Sequence, residues 1–439
     1  MVEVRRDPNK PDRLPSRLVD TLLGVFVAVF LILYITDAVF ALLQHVHAVR
    51  SPVLLFCIMA SPVLIRVHWP DYRQNGLARS LALWRDHRQV IVPFLGLIAL
   101  GFLTSLEPGA NVADQGGRAV FILIYRFALF AAALSSAVLL FRFGWRRIVL
   151  VSLLVLLASV YYDVAYPGTF STADGRAGGF QENPNVAAIA LVMLLAVSVR
   201  YERIYLLDLT LILATFVGLF STLSRGGMIQ FTLFLANYLY FTGRGRRLQQ
   251  LTVIPLTAAI MAAIAAVVVT QITSSSDMFA TDNAQRRLST FAGDNQTVYE
   301  TDDVRLSLIP QYMALIDRRM LFGYGTGFSR SLPLGPHNSY LEFWVNNGFA
   351  GLLFYIWLLV AMLSLCWARR FWPGFVFVQI AMLAGMFTHD VIQLGVFLVL
   401  SGIVLGVSWG GTVRVSAAGK SDHAAERDAA ARRHPATAA

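Results

Sequence analysis

The chain has 439 residues, 56% of them hydrophobic and 14% charged, with a mean hydropathy of +0.61 and a formal net charge of +10. That balance excludes an ordinary soluble domain, and because the charges cluster between long apolar runs, the positive charge points to membrane topology rather than to nucleic acid. The two cysteines, Cys57 and Cys366, lie inside apolar runs, read as buried core residues, and leave neither a disulfide framework nor a thiolate metal site.

Residues 1–17 form a basic, proline-containing arm. The first apolar run, from about Leu18 to Leu43, is too long for the hydrophobic region of a secretory leader and lacks a small-residue cleavage site. It reads as a spanning helix, and no cleavable signal is expected. Twelve spans, each near the roughly 20 residues that a hydrocarbon core requires, centre on Phe30, Met59, Gly96, Phe130, Val155, Leu191, Ile212, Phe234, Ala262, Tyr355, Gln379 and Leu400. The second, sixth and eighth are short.

With the N-terminus cytoplasmic, 25 of the 36 basic residues fall on inside segments. These include Arg5, Arg6, Arg66, Arg85, Arg88, Arg146, Arg147, Arg200, Arg203, Arg244, Arg246, Arg369 and Arg370. Every inside segment carries at least two, so the positive-inside rule supports this orientation and an even number of spans. The expected fold class is all-α: a polytopic integral membrane protein with about 12 transmembrane helices. Spans 1–9 lie within 18–272, a large periplasmic loop occupies 273–336, spans 10–12 lie within 337–411, and 412–439 form a polar, disordered cytoplasmic tail.

The outer loops carry the features of interest, because an arginine kept on that side needs a partner. His45 and His47 flank the first outer turn without a further ligand. Gly175-Arg176-Ala177-Gly178-Gly179-Phe180 precedes Asn183-Pro184-Asn185, a cap-plus-proline start for the sixth span. That role accounts for the asparagines and leaves Arg176 unexplained. Ser224-Arg225-Gly226-Gly227 joins spans seven and eight. A guanidinium beside the exposed N–H groups of a helix start makes a good anion site; a tight hairpin with a snorkelling arginine is the equal alternative.

The segment Thr273–Pro336 holds six arginines (Arg286, Arg287, Arg305, Arg318, Arg319, Arg330) against seven acids, so it is polar and nearly neutral. Within it, Leu306, Ile309, Met313, Ile316 and Met320 are spaced for a helix on the membrane surface or against the bundle, with Pro310 kinking it or marking its start. Asp302-Asp303 alone is weak evidence for a metal. Gly323-Tyr324-Gly325-Thr326-Gly327 lacks the preceding strand and third-glycine position of a dinucleotide fingerprint and reads as a flexible connector sooner than a phosphate cradle. Pro336-His337-Asn338-Ser339-Tyr340 opens the tenth span. There the helix dipole and nearby arginines disfavour imidazolium, leaving the neutral ring that a general base needs, although a capping histidine is the plain alternative. His389-Asp390, at the outer end of the eleventh span, could orient a base or substrate.

Arg176–Gly179 with Asn183-Pro184-Asn185, then Ser224-Arg225-Gly226, then Leu321-Phe322-Gly323-Tyr324-Gly325-Thr326-Gly327-Phe328, Pro336-His337-Asn338-Ser339-Tyr340-Leu341 and Asn347-Gly348-Phe349-Ala350-Gly351, taken in this order, resemble the O-antigen ligase family of bacterial inner-membrane glycosyltransferases. The resemblance spans roughly Gly175 to Val360, and the His-Asn-Ser-Tyr-Leu segment is its most specific piece. It implies transfer of a glycan from undecaprenyl pyrophosphate to a sugar hydroxyl of lipid A–core, at the periplasmic face of the inner membrane, without a cofactor or metal. On that scheme His337 is the base. Arg225 leads the candidates for the pyrophosphate, with Arg176, Arg286, Arg287 and Arg305 behind it, and Asn338, Tyr340, Ser224, Gly226 and Asn185 support them. Partners are then the lipid-linked donor, lipid A–core and the bilayer, with no nucleic acid. A polymerase on the same carrier or a protein-glycosylating ligase shares the motifs. Transport is disfavoured, because no internal repeat is visible and the unexplained cations gather at the outer boundary, although Arg126 and Asp208 fall within spans.

Overall fold

The computed structural model describes residues 14–39, 82, 84–105, 122–136, 144–243, 263, 266–267, 270, 277–291, 308–332, 335–388 and 391–409. Among these residues every regular element is helical and no strand occurs. A chain this apolar satisfies its backbone internally in that way. We number the described helices α1 (Leu14–Ile35), α2 (Arg88–Ser105), α3 (Ile122–Ser136), α4 (Trp145–Ala165), α5 (Pro184–Ser198) and α6 (Leu206–Ser221). They continue with α7 (Arg225–Gly243), α8 (Asp282–Phe291), α9 (308–318), α10 (Ser339–Ala368), α11 (Trp372–Phe387) and α12 (Gly395–Trp409). Ten of the twelve expected span centres lie on these helices; those at Met59 and Ala262 lie outside the described residues, as do Cys57, His45, His47, Arg305, Asp302-Asp303, His389-Asp390 and the tail. Helices α8 and α9 belong to the expected outer loop.

Length separates these helices. Among the described residues α4, with 21 residues, and α10, with 30, are long and apolar enough to cross a membrane, whereas α5, α6 and α11 have 15 or 16 residues. The sixth span, expected to be short, is α5 with its 15 residues, and α6 and α11 are short as well. Helix α5 stops short because Asn183 caps its start, accepting from the Asn185 N–H at 2.9 Å, with Pro184 in the first turn, and because Val199 is extended at its end.

Helix α5 is the centre of the bundle. Residues 187–197 are all buried, and the helix packs against α4, α6, α7 and α11. A helix that is apolar all round belongs there. Small residues bring its neighbours close: a methyl group placed on Gly227 would come within 2.6 Å of the Ala188 Cβ.

The helix ends sort into two sets. At one end Phe241 stacks on Trp372 at 4.4 Å, Trp145 meets Phe371 edge-on at 5.7 Å, and Arg146 pairs with Glu202 at 3.8 Å. There Arg369 Nη1 donates to Ser408 Oγ at 2.8 Å and lies 3.1 Å from His87 Nε2, while Trp409 Nε1 donates to Asp86 Oδ2 at 2.8 Å. Arg85, Arg88, Arg147, Arg200, Arg203 and Arg370 sit on the same helix ends and loops, so this is the basic end. The opposite end gathers the ends of α1, α4, α6 and α11 with the starts of α5, α7, α10 and α12.

Helix α10 is broken. Gly348 has φ +67 and ψ −170 inside it, which frees the carbonyls of the preceding turn. The glycine-rich turn fills that gap: Tyr324 N donates to Val345 O at 2.9 Å, Gly325 N to Asn346 O at 2.8 Å, and Phe349 N to Met320 O at 2.8 Å. A Cβ on Gly348 would collide with the Leu321 carbonyl, and one on Gly323 would lie 2.6 Å from Val345 O. The expectation of a flexible connector is thus corrected, since the turn is a docked plug. Asn346 Oδ1 accepts from Ser329 N at 2.8 Å, Ser329 Oγ donates to Glu342 Oε1 at 3.2 Å, and Asn347 Nδ2 donates to Thr326 Oγ1 at 2.6 Å.

Helix α9 rests on this plug, against the bundle rather than away from it. Its buried stripe is Leu308, Tyr312 and Ile316 against Val345, while Ile309, Met313 and Met320 remain exposed. The expected apolar stripe is therefore rotated, because Tyr312 carries a large apolar ring to the buried face. Burial, with the Glu342 charge nearby, pushes the Tyr312 phenol up to about 12. Pro310 lies within the described part of α9.

Candidate functional site

The opposite end is built around the corner where α6 hands over to α7. Helix α6 ends at Ser221, and Leu223 takes a left-handed φ of +46. Ser224 Oγ then accepts from Gly227 N at 3.3 Å, capping α7 so that Arg225 becomes its first residue. Arg225 is partly buried. A methyl placed on Gly226 would lie 3.5 Å from the Phe387 Cβ, which puts this corner against the last turn of α11.

Two other arginines reach the same corner. Arg176, buried at 6% exposure, donates from Nε to the Thr222 carbonyl at 2.9 Å and from Nη2 to Asn185 Oδ1 at 2.8 Å. Ala177 N donates to Ser221 O at 3.1 Å. From the outer loop, Arg287 Nη1 approaches the Leu223 carbonyl at 3.5 Å. Helix α8, which carries Arg287, is seated by Asn283 Nδ2 donating to Asp174 O at 2.6 Å and by Gly175, whose added Cβ would lie 3.0 Å from the Ala284 Cβ. Arg286 is exposed on the same helix. Arg176, Arg225 and Arg287, far apart in sequence, therefore converge on residues 222–225. Carbonyl oxygens hold two of the guanidinium groups in place, at a helix start whose dipole also favours an anion.

His337 opens the neighbouring element. Asn338 is the cap of α10, its Oδ1 accepting from Tyr340 N at 3.0 Å and Leu341 N at 3.1 Å. Ser339 Oγ donates to Thr388 O at 3.1 Å and accepts from Val391 N at 3.1 Å. His337 precedes the cap with φ +47, a conformation uncommon outside glycine, and is half-buried. Phe387 and Thr388 thus separate the two features: the Arg225 corner abuts the first and the His337 segment is tied to the second. Tyr340 OH donates to Met382 O at 2.9 Å and anchors the first turn of α10 to α11.

Residues 209–356, about a third of the chain, match the family model described as O-antigen ligase. That stretch of the chain is similar to the O-antigen ligase family. No curated protein matches the chain. The helical, apolar architecture of the described residues is consistent with that likeness.

The matched stretch contains Arg225, Arg287 and His337, whereas Arg176 and Asn185 lie before it. Sequence reasoning passed over two buried carboxylates. Glu342, at 4% exposure in the first turn of α10, anchors Ser329. Asp163, fully buried in the last turn of α4, accepts from Gly178 N at 2.9 Å and Gly179 N at 3.2 Å through Oδ2, and from Phe170 N at 3.0 Å and Ser171 N at 3.4 Å through Oδ1. An acid at the end of an apolar run could have flagged Asp163; nothing in the sequence marked Glu342. Among the described residues no group of three or more His, Cys, Asp or Glu is placed to hold a metal.

Proposed function

We propose that the protein is an O-antigen ligase, transferring a glycan from undecaprenyl pyrophosphate to a sugar hydroxyl of lipid A–core at the periplasmic end of the bundle. The convergence of Arg176, Arg225 and Arg287 on residues 222–225, separated from the His337 segment by Phe387 and Thr388 at the end of α11, carries this reading. The arginine-rich opposite end supports placing the site outside, because positive charge is retained on the cytoplasmic side.

The donor's leaving group is already good, so the site has two tasks. Arg225 and Arg287 hold the pyrophosphate, with Arg176 beneath them setting the corner and adding its charge. Arg286, exposed on α8, extends the positive rim on the outer loop. The acceptor hydroxyl oxygen attacks the anomeric carbon from the face opposite the carrier. As that C–O bond forms, the bond to the pyrophosphate oxygen breaks and its electron pair leaves with the diphosphate, where guanidinium groups stabilise the added charge. Neutral His337 takes the hydroxyl proton and releases it to solvent. Asn338 and Tyr340 fix the backbone that presents the ring, Ser224, Gly226 and Asn185 fix the corner, and the anomeric centre inverts.

A polymerase on the same carrier is the second reading, favoured by the same domain match. Purified protein given lipid-linked glycan and lipid A–core, with chelator present, tests the first: glycosylated core supports it, and its absence under conditions where repeat units are joined instead supports the polymerase. Retention at the new bond would remove the single-displacement scheme.

A further inference from the structure

Asp163 is a carboxylate sealed at the end of α4, and every hydrogen bond described above for it comes from backbone N–H groups. Its two oxygens accept four of them, two on each side of the loop that carries Arg176. An ionised carboxylate has about four acceptor sites, so this set uses its full capacity. Thr172 N donating to Glu182 O at 3.1 Å and Phe180 N donating to Ser159 Oγ at 3.2 Å brace the same loop. Gly179 lies at φ +54, where an added Cβ would come within 2.5 Å of Ser159 Oγ, and a Cβ on Gly178 would come within 2.5 Å of Glu182 O.

From those two glycines a continuous path leads to the corner. Arg176 lies two residues before Gly178 and donates to Thr222 O and Asn185 Oδ1; Ala177 N donates to Ser221 O. Asp163 thus fixes the loop from below, and the loop fixes the corner that presents Arg225. Remote hydrogen bonding of this kind sets the angle and depth of a charged side chain without touching the ligand.

We propose that Asp163 is a positioning residue for the lipid pyrophosphate, acting through Arg176 on the Thr222–Arg225 corner. This rests on the ligase reading for the identity of the ligand. A merely structural carboxylate would lower stability and expression and leave donor affinity alone in whatever protein folds; a positioning carboxylate changes donor affinity selectively.

The test uses the full chain in detergent and reads the affinity for undecaprenyl pyrophosphate, together with the KM values for donor and acceptor. In Asp163→Asn one oxygen becomes an NH2 group facing two N–H donors, so the Gly178–Gly179 side or the Phe170–Ser171 side is released. We expect affinity for undecaprenyl pyrophosphate to fall and donor KM to rise by about tenfold, the size of one lost charge-assisted hydrogen bond, with acceptor KM within about twofold. Ser152→Ala, which removes another buried polar group from the same helix, should leave both values unchanged. Unaltered affinity in folded Asp163→Asn, or equal losses for donor and acceptor, overturns the proposal. If that variant does not insert, Asp163→Glu, which keeps the charge and displaces it by one methylene, takes its place, with a smaller loss of affinity expected and none overturning the proposal. Wild-type protein that binds undecaprenyl pyrophosphate yet transfers no glycan would unseat the ligase reading and leave the role of Asp163 in place.

Discussion

Two glycine-rich stretches at the same end of the bundle behave differently. Gly175–Gly179 is held by the side chain of Asp163 and keeps an arginine pointed into a neighbouring corner. Gly323–Gly327 is held by the main chain of a broken helix and carries no charge into the site. In both, glycine serves close backbone approach, and in neither are the anchoring N–H groups turned towards a ligand, because a carboxylate takes them in one and freed carbonyls take them in the other. Glycine richness near a cluster of arginines is therefore no measure of anion binding. What distinguishes the first stretch is the guanidinium it positions.

That contrast can be broken by substitution. The largest effects are expected at the groups proposed to act in the reaction: His337→Ala and Arg225→Ala should each lower glycan transfer by about a hundredfold or more with insertion and expression intact. A near-normal rate in His337→Ala, measured in detergent, would end its role as base. Next comes Gly348→Ala, which forces a side chain into a left-handed position against the Leu321 carbonyl. It should cost about 3 kcal/mol or more, read as a lowered melting temperature, while donor KM in the surviving folded fraction stays near wild type. Arg176→Lys should show the reverse pattern. It keeps the charge and loses the paired geometry to Thr222 and Asn185, so donor KM should rise by about tenfold with a smaller change in melting. If Gly348→Ala raised donor KM and Arg176→Lys did not, the two stretches would have exchanged roles. Smallest is Ser329→Ala, which removes one donor to Glu342 and the acceptor of Asn346 Nδ2; about 1 kcal/mol of stability should be lost without a change in donor KM.

Much of this was legible in the residues. Apolar runs located the helices around Phe30, Gly96, Val155 and Tyr355, because burial in lipid demands long apolar stretches whatever the packing. The arginine count marked one end as basic, and the capping logic at Asn183-Pro184 held to the residue. The break at Gly348 was hidden, since a glycine in an apolar run looks the same whether the helix continues or stops. The acid at the end of an apolar run was visible in Asp163, but its partners were hidden, since backbone groups leave no pattern of side chains. The approach of Arg287 to the Leu223 carbonyl joins segments with no shared motif, and only the packing of α8 under Asp174 reveals it. The outward faces of Ile309 and Met313 show the same limit, because helical spacing identifies a stripe without telling which neighbour it meets.

The plug in α10 constrains how the protein can move. Lifting residues 320–325 would strip partners from Val345 O and Asn346 O in a place with little access to water, at a cost of several kcal/mol. That stretch cannot serve as a swinging flap during turnover. It is hydrogen-bonded to the helix that begins two residues after His337, so that flank of the proposed site is a fixed wall. Slow amide exchange at Tyr324 and Gly325, matching that of the α10 interior, is the signature of such a wall.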